Sequence, residues 1–189
     1  MARPKSEDKH NAILAAATQV VAEQGVGAPT ARIAKLAGIA EGTLFTYFPT
    51  KDDLLNQLYL TIKGGLRAEM MTAYPGDAPL RDRAHHVWNA FVDWGVRVPA
   101  QRRAMAQLMV SDRLTPQTRV EGSAGFARLD QLVLDGVAQG TLRDQPPGFA
   151  AAMLTAMAEA TMDFILREPA AAERYRTAGF DAFWNAISR

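Results

Sequence analysis

Apolar residues recur at three- and four-residue spacing along almost the whole chain, and no stretch alternates strictly for long enough to make a strand. Ala and Leu, both good helix formers, dominate the pattern. This periodicity confines the fold to the all-α class. Proline and glycine then cut it into segments. Gly25 and Gly27 close a first helix predicted over 8–23, with Ile13, Ala16, Ala17, Val20 and Val21 facing inward. Pro29 suits the first turn of a second helix ending at Gly38. A short third helix runs to Phe48 and is stopped by Pro49. Thr50 can cap a fourth, with Asp52 and Asp53 against its positive end. Longer helices follow at 80–97, 100–111, 116–138, 149–167 and 170–187, about nine in all. Short helices first and long helices after predict two domains, 1–50 and 51–189.

Composition removes several functional classes. With 189 residues, 48% of them hydrophobic, there is material for a real core. The absence of Cys excludes disulfides, a thiolate nucleophile and Cys-ligated metals. His85 and His86 are adjacent, and helical neighbours diverge by about 100°, so they do not share a metal; Asp82 and His86 have the spacing of a surface ion pair. There is no Gly-x-Ser-x-Gly and no Walker motif, and Gly25-x-Gly27 lacks the third glycine of a dinucleotide loop. No enzyme, metal or cofactor is predicted. The apolar stretch 12–22 follows Arg3, Lys5 and Lys9 but also Glu7 and Asp8, unlike a signal peptide. The run 146–158 opens with two prolines and falls short of the roughly 20 residues of a spanning helix. A soluble, cytoplasmic protein with no membrane partner is expected.

Residues 29–48, PTARIAKLAGIAEGTLFTYF, carry the functional signal. Two short helices meet at Gly38-Ile39, where the turn is sharp. Ile33, Ala37, Ile39, Leu44 and Phe48 can cluster inward, and Ala34 allows close approach. The other face of the third helix offers Gly42, Thr43 and Thr46, flanked by Phe45 and Tyr47. Small residues and hydroxyls suit a helix that enters a major groove. A helical hairpin by itself, however, is a common pattern.

The wider sequence resembles the N-terminal domain of the TetR family of bacterial transcriptional regulators from about Asn11 to Leu58. The matching residues are Ile13-Leu14-Ala15-Ala16-Ala17, Glu23-Gln24-Gly25, Ile33-Ala34, Ala37-Gly38-Ile39, Gly42 through Phe48, Lys51 and Leu54-Leu55. The resemblance implies a helix-turn-helix domain followed by a larger antiparallel helical domain that binds an effector and dimerises. It implies that Tyr47 and Lys51 contact phosphate, that Thr30 starts a helix whose N–H groups can face phosphate, and that Gly42, Thr43 and Thr46 face the groove. Phe45 stands where Tyr is frequent, which favours apolar contact. Two residues depart from the pattern. Ala40 replaces a capping Ser, and Glu41 stands where Lys or Arg is frequent. Glu41 suits the helix N-terminus but repels phosphate; it can be a solvated carboxylate or an acceptor for a cytosine amino group.

Charge is the difficulty for this reading. The chain carries +1 overall, and through Ile62 six cations face six anions. Arg3, Lys5 and Lys9 are expected to form a basic arm, with or without a role on DNA.

In the larger domain, Trp88, Phe91, Trp94, Met105, Met109, Phe126, Met157 and Phe164 are either ordinary core or, as the resemblance implies, partly the lining of an apolar or aromatic effector's cavity. Ala152, Ala156 and Ala160 permit close helix approach, and Phe180, Phe183, Trp184 and Ile187 make an apolar terminal face, part of which packing within one chain can bury. The resemblance implies that these helices pair in a homodimer, which reads a palindromic operator on double-stranded DNA. The expected function is that of a ligand-responsive repressor.

Overall fold

A computed structural model describes the backbone from residue 3 and side chains from residue 7. The side chains of Arg3 and Lys5, expected in the basic arm, lie outside the described residues. The described chain is helical: α1 (Arg3–Gln24), α2 (Thr30–Leu36), α3 (Glu41–Tyr47), α4 (Lys51–Met71), α5 (Leu80–Arg97), α6 (Pro99–Met109), α7 (Pro116–Ala124), α8 (Ala127–Ala138), α9 (Phe149–Arg167) and α10 (Ala172–Ile187). A 3-10 turn, Pro169–Ala171, precedes α10. Leu142 and Ser188 form an isolated antiparallel bridge, and no strand occurs among the described residues.

The predicted divisions hold with three corrections. Helix α1 begins at Arg3 rather than near Asp8, with Pro4 in the first turn, where its missing N–H costs nothing. The single helix predicted over 116–138 is two, α7 and α8, so the described residues form ten helices where about nine are expected. Its break at Gly125-Phe126 carries no proline. A Cβ on Gly125 would come within 2.8 Å of the Arg67 guanidinium, and Phe126 leaves helical geometry at φ −103° and ψ 9°. The approach of Arg67 to Gly125 is tertiary, so local pattern does not reveal it. The last helix starts two residues late because Pro169 opens a tighter turn.

The chain divides into two compact units. The first comprises Met1–Gly64 with Val98–Ser123, and the second Gly65–Arg97 with Ala124–Arg189. In the first, α1 packs on α2 and along α6, and α2 on α3. Ile13, Ala16, Ala17, Val20 and Val21 are all buried there, as are Ile33, Ala34, Leu44 and Phe48, while Ala37 and Ile39 are half-buried. Gly122 on α7 allows close approach to Tyr59, whose ring carbon would lie 2.5 Å from a Cβ.

In the second unit, α5, α9 and α10 pack together. The α5 face Leu80, Ala84, Val87, Trp88, Phe91, Trp94 and Gly95 is buried, as its spacing predicts. Trp88 is fully buried, stacks on Phe183 at 5.8 Å, and donates its indole N–H to the Arg176 carbonyl at 3.2 Å. Helix α9 is, among the described residues, the one helix long and apolar enough to cross a membrane, although it carries Glu159, Asp163 and Arg167. Only 28% of its most apolar window is buried, so much of its apolar surface is uncovered in the single chain.

Candidate nucleic-acid interface

The α2–α3 turn follows from its sequence. Gly38 adopts φ +69°, a conformation that favours glycine. This lets the Ile39 N–H reach the Ala34 carbonyl at 3.0 Å and the Gly38 N–H reach the Lys35 carbonyl at 3.2 Å. That pair of bonds is a Schellman motif: it satisfies the last carbonyls of α2 and redirects the chain into α3. Leu44 anchors α3 inward with no exposure at all. The opposite face is thereby turned outward. Glu41, Gly42, Phe45 and Thr46 are exposed, and Thr43 and Tyr47 are half-buried. The expected groove residues therefore share the outward side of α3.

The two departures from the family pattern have structural consequences. Ala40 stands at the α3 N-cap and makes no side-chain cap bond. Glu41 accepts a hydrogen bond from the Thr30 hydroxyl at 2.6 Å, tying the start of α3 to the start of α2. Its carboxylate is thus partly satisfied within the chain. Thr46 donates to the Gly42 carbonyl at 3.2 Å, and its exposed hydroxyl oxygen keeps its capacity to accept.

Next to α3, Thr50 and Asp53 make a capping box. The Asp53 N–H donates to the Thr50 hydroxyl oxygen at 3.1 Å, and the Thr50 N–H donates to the Asp53 carboxylate at 3.0 Å. This fixes the first turn of α4 and, with it, Lys51. Burial lowers the Lys51 pKa, the nearby Arg113 lowers it further, and Asp52 partly opposes them. His10, which sequence reasoning passed over, stacks on Phe48 at 4.9 Å and lies 6.4 Å from the Tyr47 ring. An open cleft of about 420 Å³ lies here, lined by His10, Tyr47, Asp53, Asn56, Gln57 and Thr118 among others.

The α6–α7 connection belongs to this face too. Asn56 donates to the Arg113 carbonyl at 2.9 Å and accepts from the Thr115 N–H at 3.0 Å. Arg113 pairs with Asp52 at 3.3 Å. Asn56 and its partners stand 57 and 59 positions apart, so no local motif could reveal them. Including this segment changes the charge balance. The first unit carries eleven Lys and Arg against eight Asp and Glu, a formal +3, which leaves ten against twelve, or −2, for the second.

The aromatic and methionine candidates are divided between the two units. Trp88, Phe91 and Trp94 are buried on α5, and Phe91 stacks on Trp94 at 6.0 Å. In the same unit Phe126 and Met157 are half-buried, and Phe164 is exposed and stacked on Tyr175 at 5.2 Å. Met105 and Met109 belong to the other unit, the first buried and the second exposed. Among the dimer candidates, Ala152, Ala156 and Ala160 are exposed along α9. Phe180, Phe183 and Ile187 are 3–5% exposed and Trp184 is half-buried, so the terminal apolar face is largely covered within its own chain. His86 lies beside the Met70 carbonyl at 3.2 Å.

Known proteins place this geometry. The family model for bacterial regulatory proteins of the tetR family matches residues 13–58, the segment from α1 to the start of α4. The uncharacterised HTH-type transcriptional regulator YhgD of Bacillus subtilis (strain 168) is 28% identical over 90 residues, which cover 47% of each protein. The chain thus spans about half the length of that curated relative. A crystal structure from Shewanella sp. PV-4, assigned to the tetR family of transcription regulators, is 28% identical with a TM-score of 0.87, covering 96% of this chain and 98% of that one. A TetR family transcription regulator from Marinobacter aquaeolei VT8 has a TM-score of 0.88 at 20% identity, covering 98% of both, which is a likeness of fold. Residues 13–58 thus match the tetR family of bacterial regulatory proteins, and the chain as a whole shares the fold of a TetR-family transcription regulator.

Proposed function

We infer that the chain is a sequence-specific DNA-binding transcriptional regulator, a ligand-responsive repressor that acts as a cytoplasmic homodimer on a palindromic operator. Residues 1–50 read DNA, and residues 51–189 bind the effector and dimerise. The observation that carries this reading is the outward face of α3, where Gly42, Phe45 and Thr46 stand exposed beside Tyr47 and a capped Lys51. A backbone without side-chain bulk at Gly42 can approach base edges closely, Thr46 offers a hydroxyl oxygen, and Phe45 offers apolar surface to a thymine methyl. Tyr47, Lys51 and the N–H groups at Thr30 fix the register on phosphate.

The uncovered stripe of α9 supports dimerisation. Phe149 and Phe164, 48% and 45% exposed, bracket Ala152, Ala156 and Ala160 at helical spacing. A second copy laid on this stripe would bury it, and small residues let the backbones approach. A two-fold pair would set its recognition helices about 34–36 Å apart, one DNA turn. An apolar or aromatic effector in the larger domain would weaken operator binding by about five- to 150-fold for a coupling of roughly 1–3 kcal/mol.

Selection of duplexes from a random-sequence pool, followed by anisotropy titration, tests the reading. A palindromic consensus bound about 10³-fold or more tighter than scrambled DNA is expected. Tyr47→Ala and Lys51→Ala should each weaken binding while leaving the helical circular dichroism unchanged. An absence of any selected sequence would refute it.

A further inference from the structure

We propose that Arg113, on the connection between α6 and α7, contacts the DNA backbone beside Lys51, so that the phosphate-binding edge extends beyond the segment 13–58. This rests on the DNA-binding reading above. The connection is held at both ends. Arg119 donates to the Met109 carbonyl at 3.2 Å and to the Ser111 carbonyl at 2.7 Å, fixing the start of the loop. Asn56 grips the Arg113 carbonyl at 2.9 Å and the Thr115 N–H at 3.0 Å, fixing its end against the second turn of α4. Thr115 then caps α7 by accepting from the Thr118 N–H at 3.1 Å. Between these anchors the Arg113 guanidinium lies 3.3 Å from the Asp52 carboxylate, next in sequence to Lys51.

Three consequences follow from that geometry. Arg113 is 48% exposed and Asp52 52% exposed, so the pair is wet and its own contribution to stability is small, about 0–1 kcal/mol. The Arg113 Nε also lies 3.8 Å from the Asp112 carboxylate, itself 98% exposed, so neither ion pair holds the guanidinium firmly away from a phosphate. Arg113 is near enough to lower the Lys51 pKa, so the two cations share one local field. And because the loop is anchored through its backbone groups, little loop freedom is lost when a phosphate is engaged. A guanidinium can bind Asp52 and a phosphate oxygen together through different N–H groups.

The test is anisotropy titration of a fluorescein-labelled duplex selected by the wild-type protein, repeated over a range of KCl concentrations. One lost phosphate contact lowers the steepness of log K against log[KCl] by about 0.9 per bound subunit, and it weakens binding at 0.15 M salt by about fivefold per subunit. Arg113→Ala should show both changes, and Arg113→Lys should retain the wild-type slope. In an Asp52→Asn background, Arg113→Ala should still lower the slope. If it does not, Arg113 merely cancels Asp52 and the proposal is overturned. It is likewise overturned if Arg113→Ala matches wild type while Lys51→Ala lowers the slope, a result that leaves the DNA-binding reading intact. If the wild-type protein selects no duplex, that reading fails and the proposal fails with it.

Discussion

Two glycines in helix interiors should respond to the same substitution with opposite signs. In α10, a Cβ on Gly179 would run into the Thr161 hydroxyl oxygen and come within 2.7 Å of the Trp88 ring. Neither neighbour can yield cheaply. Trp88 is fully buried, stacked on Phe183 and bonded to the Arg176 carbonyl, and Thr161 donates to the Met157 carbonyl at 2.9 Å. Overpacking of this kind costs about 1–3 kcal/mol, and two stiff neighbours argue for the upper part of that range. Ala is a better helix former than Gly by about 1 kcal/mol, which offsets part of the cost. Gly179→Ala should therefore destabilise by about 1–2 kcal/mol. At 2–4 °C per kcal/mol for a chain of this size, the melting temperature should fall by about 2–8 °C. Gly65 in α4 is the control. A Cβ there meets nothing within 4 Å and the backbone is helical, so Gly65→Ala should stabilise by roughly 0.5–1 kcal/mol. Scanning calorimetry of the two variants beside wild type measures both, and near-ultraviolet circular dichroism reports the Trp88 packing. Gly179→Ala melting at or above wild type would refute the claim that α10 depends on this close approach.

Other sites give sharp expectations. Thr50→Ala removes the capping box at the start of α4 and should lower stability by about 1 kcal/mol, read as a shift in urea midpoint; an unchanged midpoint would mean the cap is idle. Glu41→Gln removes a like charge from the phosphate-facing edge and should tighten DNA binding about two- to fivefold, the size of a solvated charge interaction of roughly 0.4–1 kcal/mol. Weaker binding with altered base preference would instead make Glu41 a direct reader of cytosine. Ala156→Arg puts a long cation in the middle of the uncovered α9 stripe and should convert a dimer to monomers in sedimentation velocity. Dimers of wild-type affinity would move the interface elsewhere.

What could be read from sequence divides by range. The turn at Gly38, the cap at Thr50 and the buried face of α5 are each written within a few residues, and all three appear in the structure as expected. What escaped depends on contacts between distant positions. Gly125, at the break between α7 and α8, lies against the Arg67 side chain nearly 60 residues earlier, and the loop that carries Arg113 is held by Asn56. Exposure escaped in the same way. Phe180, Phe183 and Ile187 look like a free apolar face when α10 is considered alone, yet α5 and α9 cover them, whereas the alanine stripe of α9 stays open. Periodicity says which side of a helix is apolar but not what lies against it.

Charge is where folding alters the sequence argument most. A chain of +1 looks poorly suited to nucleic acid, but the first unit carries +3 once 98–123 joins 1–64. Arg119 is bonded to backbone carbonyls and Arg102 is 8% exposed, whereas Lys51 stands at the start of α4, Arg113 lies beside Asp52, and Lys9 adjoins His10 in α1. If Lys51 and Arg113 are the charged contacts of each subunit, a dimer should show a log–log salt slope near about −4, and adding Lys9 brings it to about −5. A slope as steep as about −10 would require roughly twice as many cations on phosphate and would refute this accounting. With so modest an electrostatic term, the proposed function draws its affinity from the fit of Gly42, Phe45 and Thr46 in the groove and from two heads binding together. These terms are lost on mismatched DNA, so a sparse set of cations favours selectivity over indiscriminate binding.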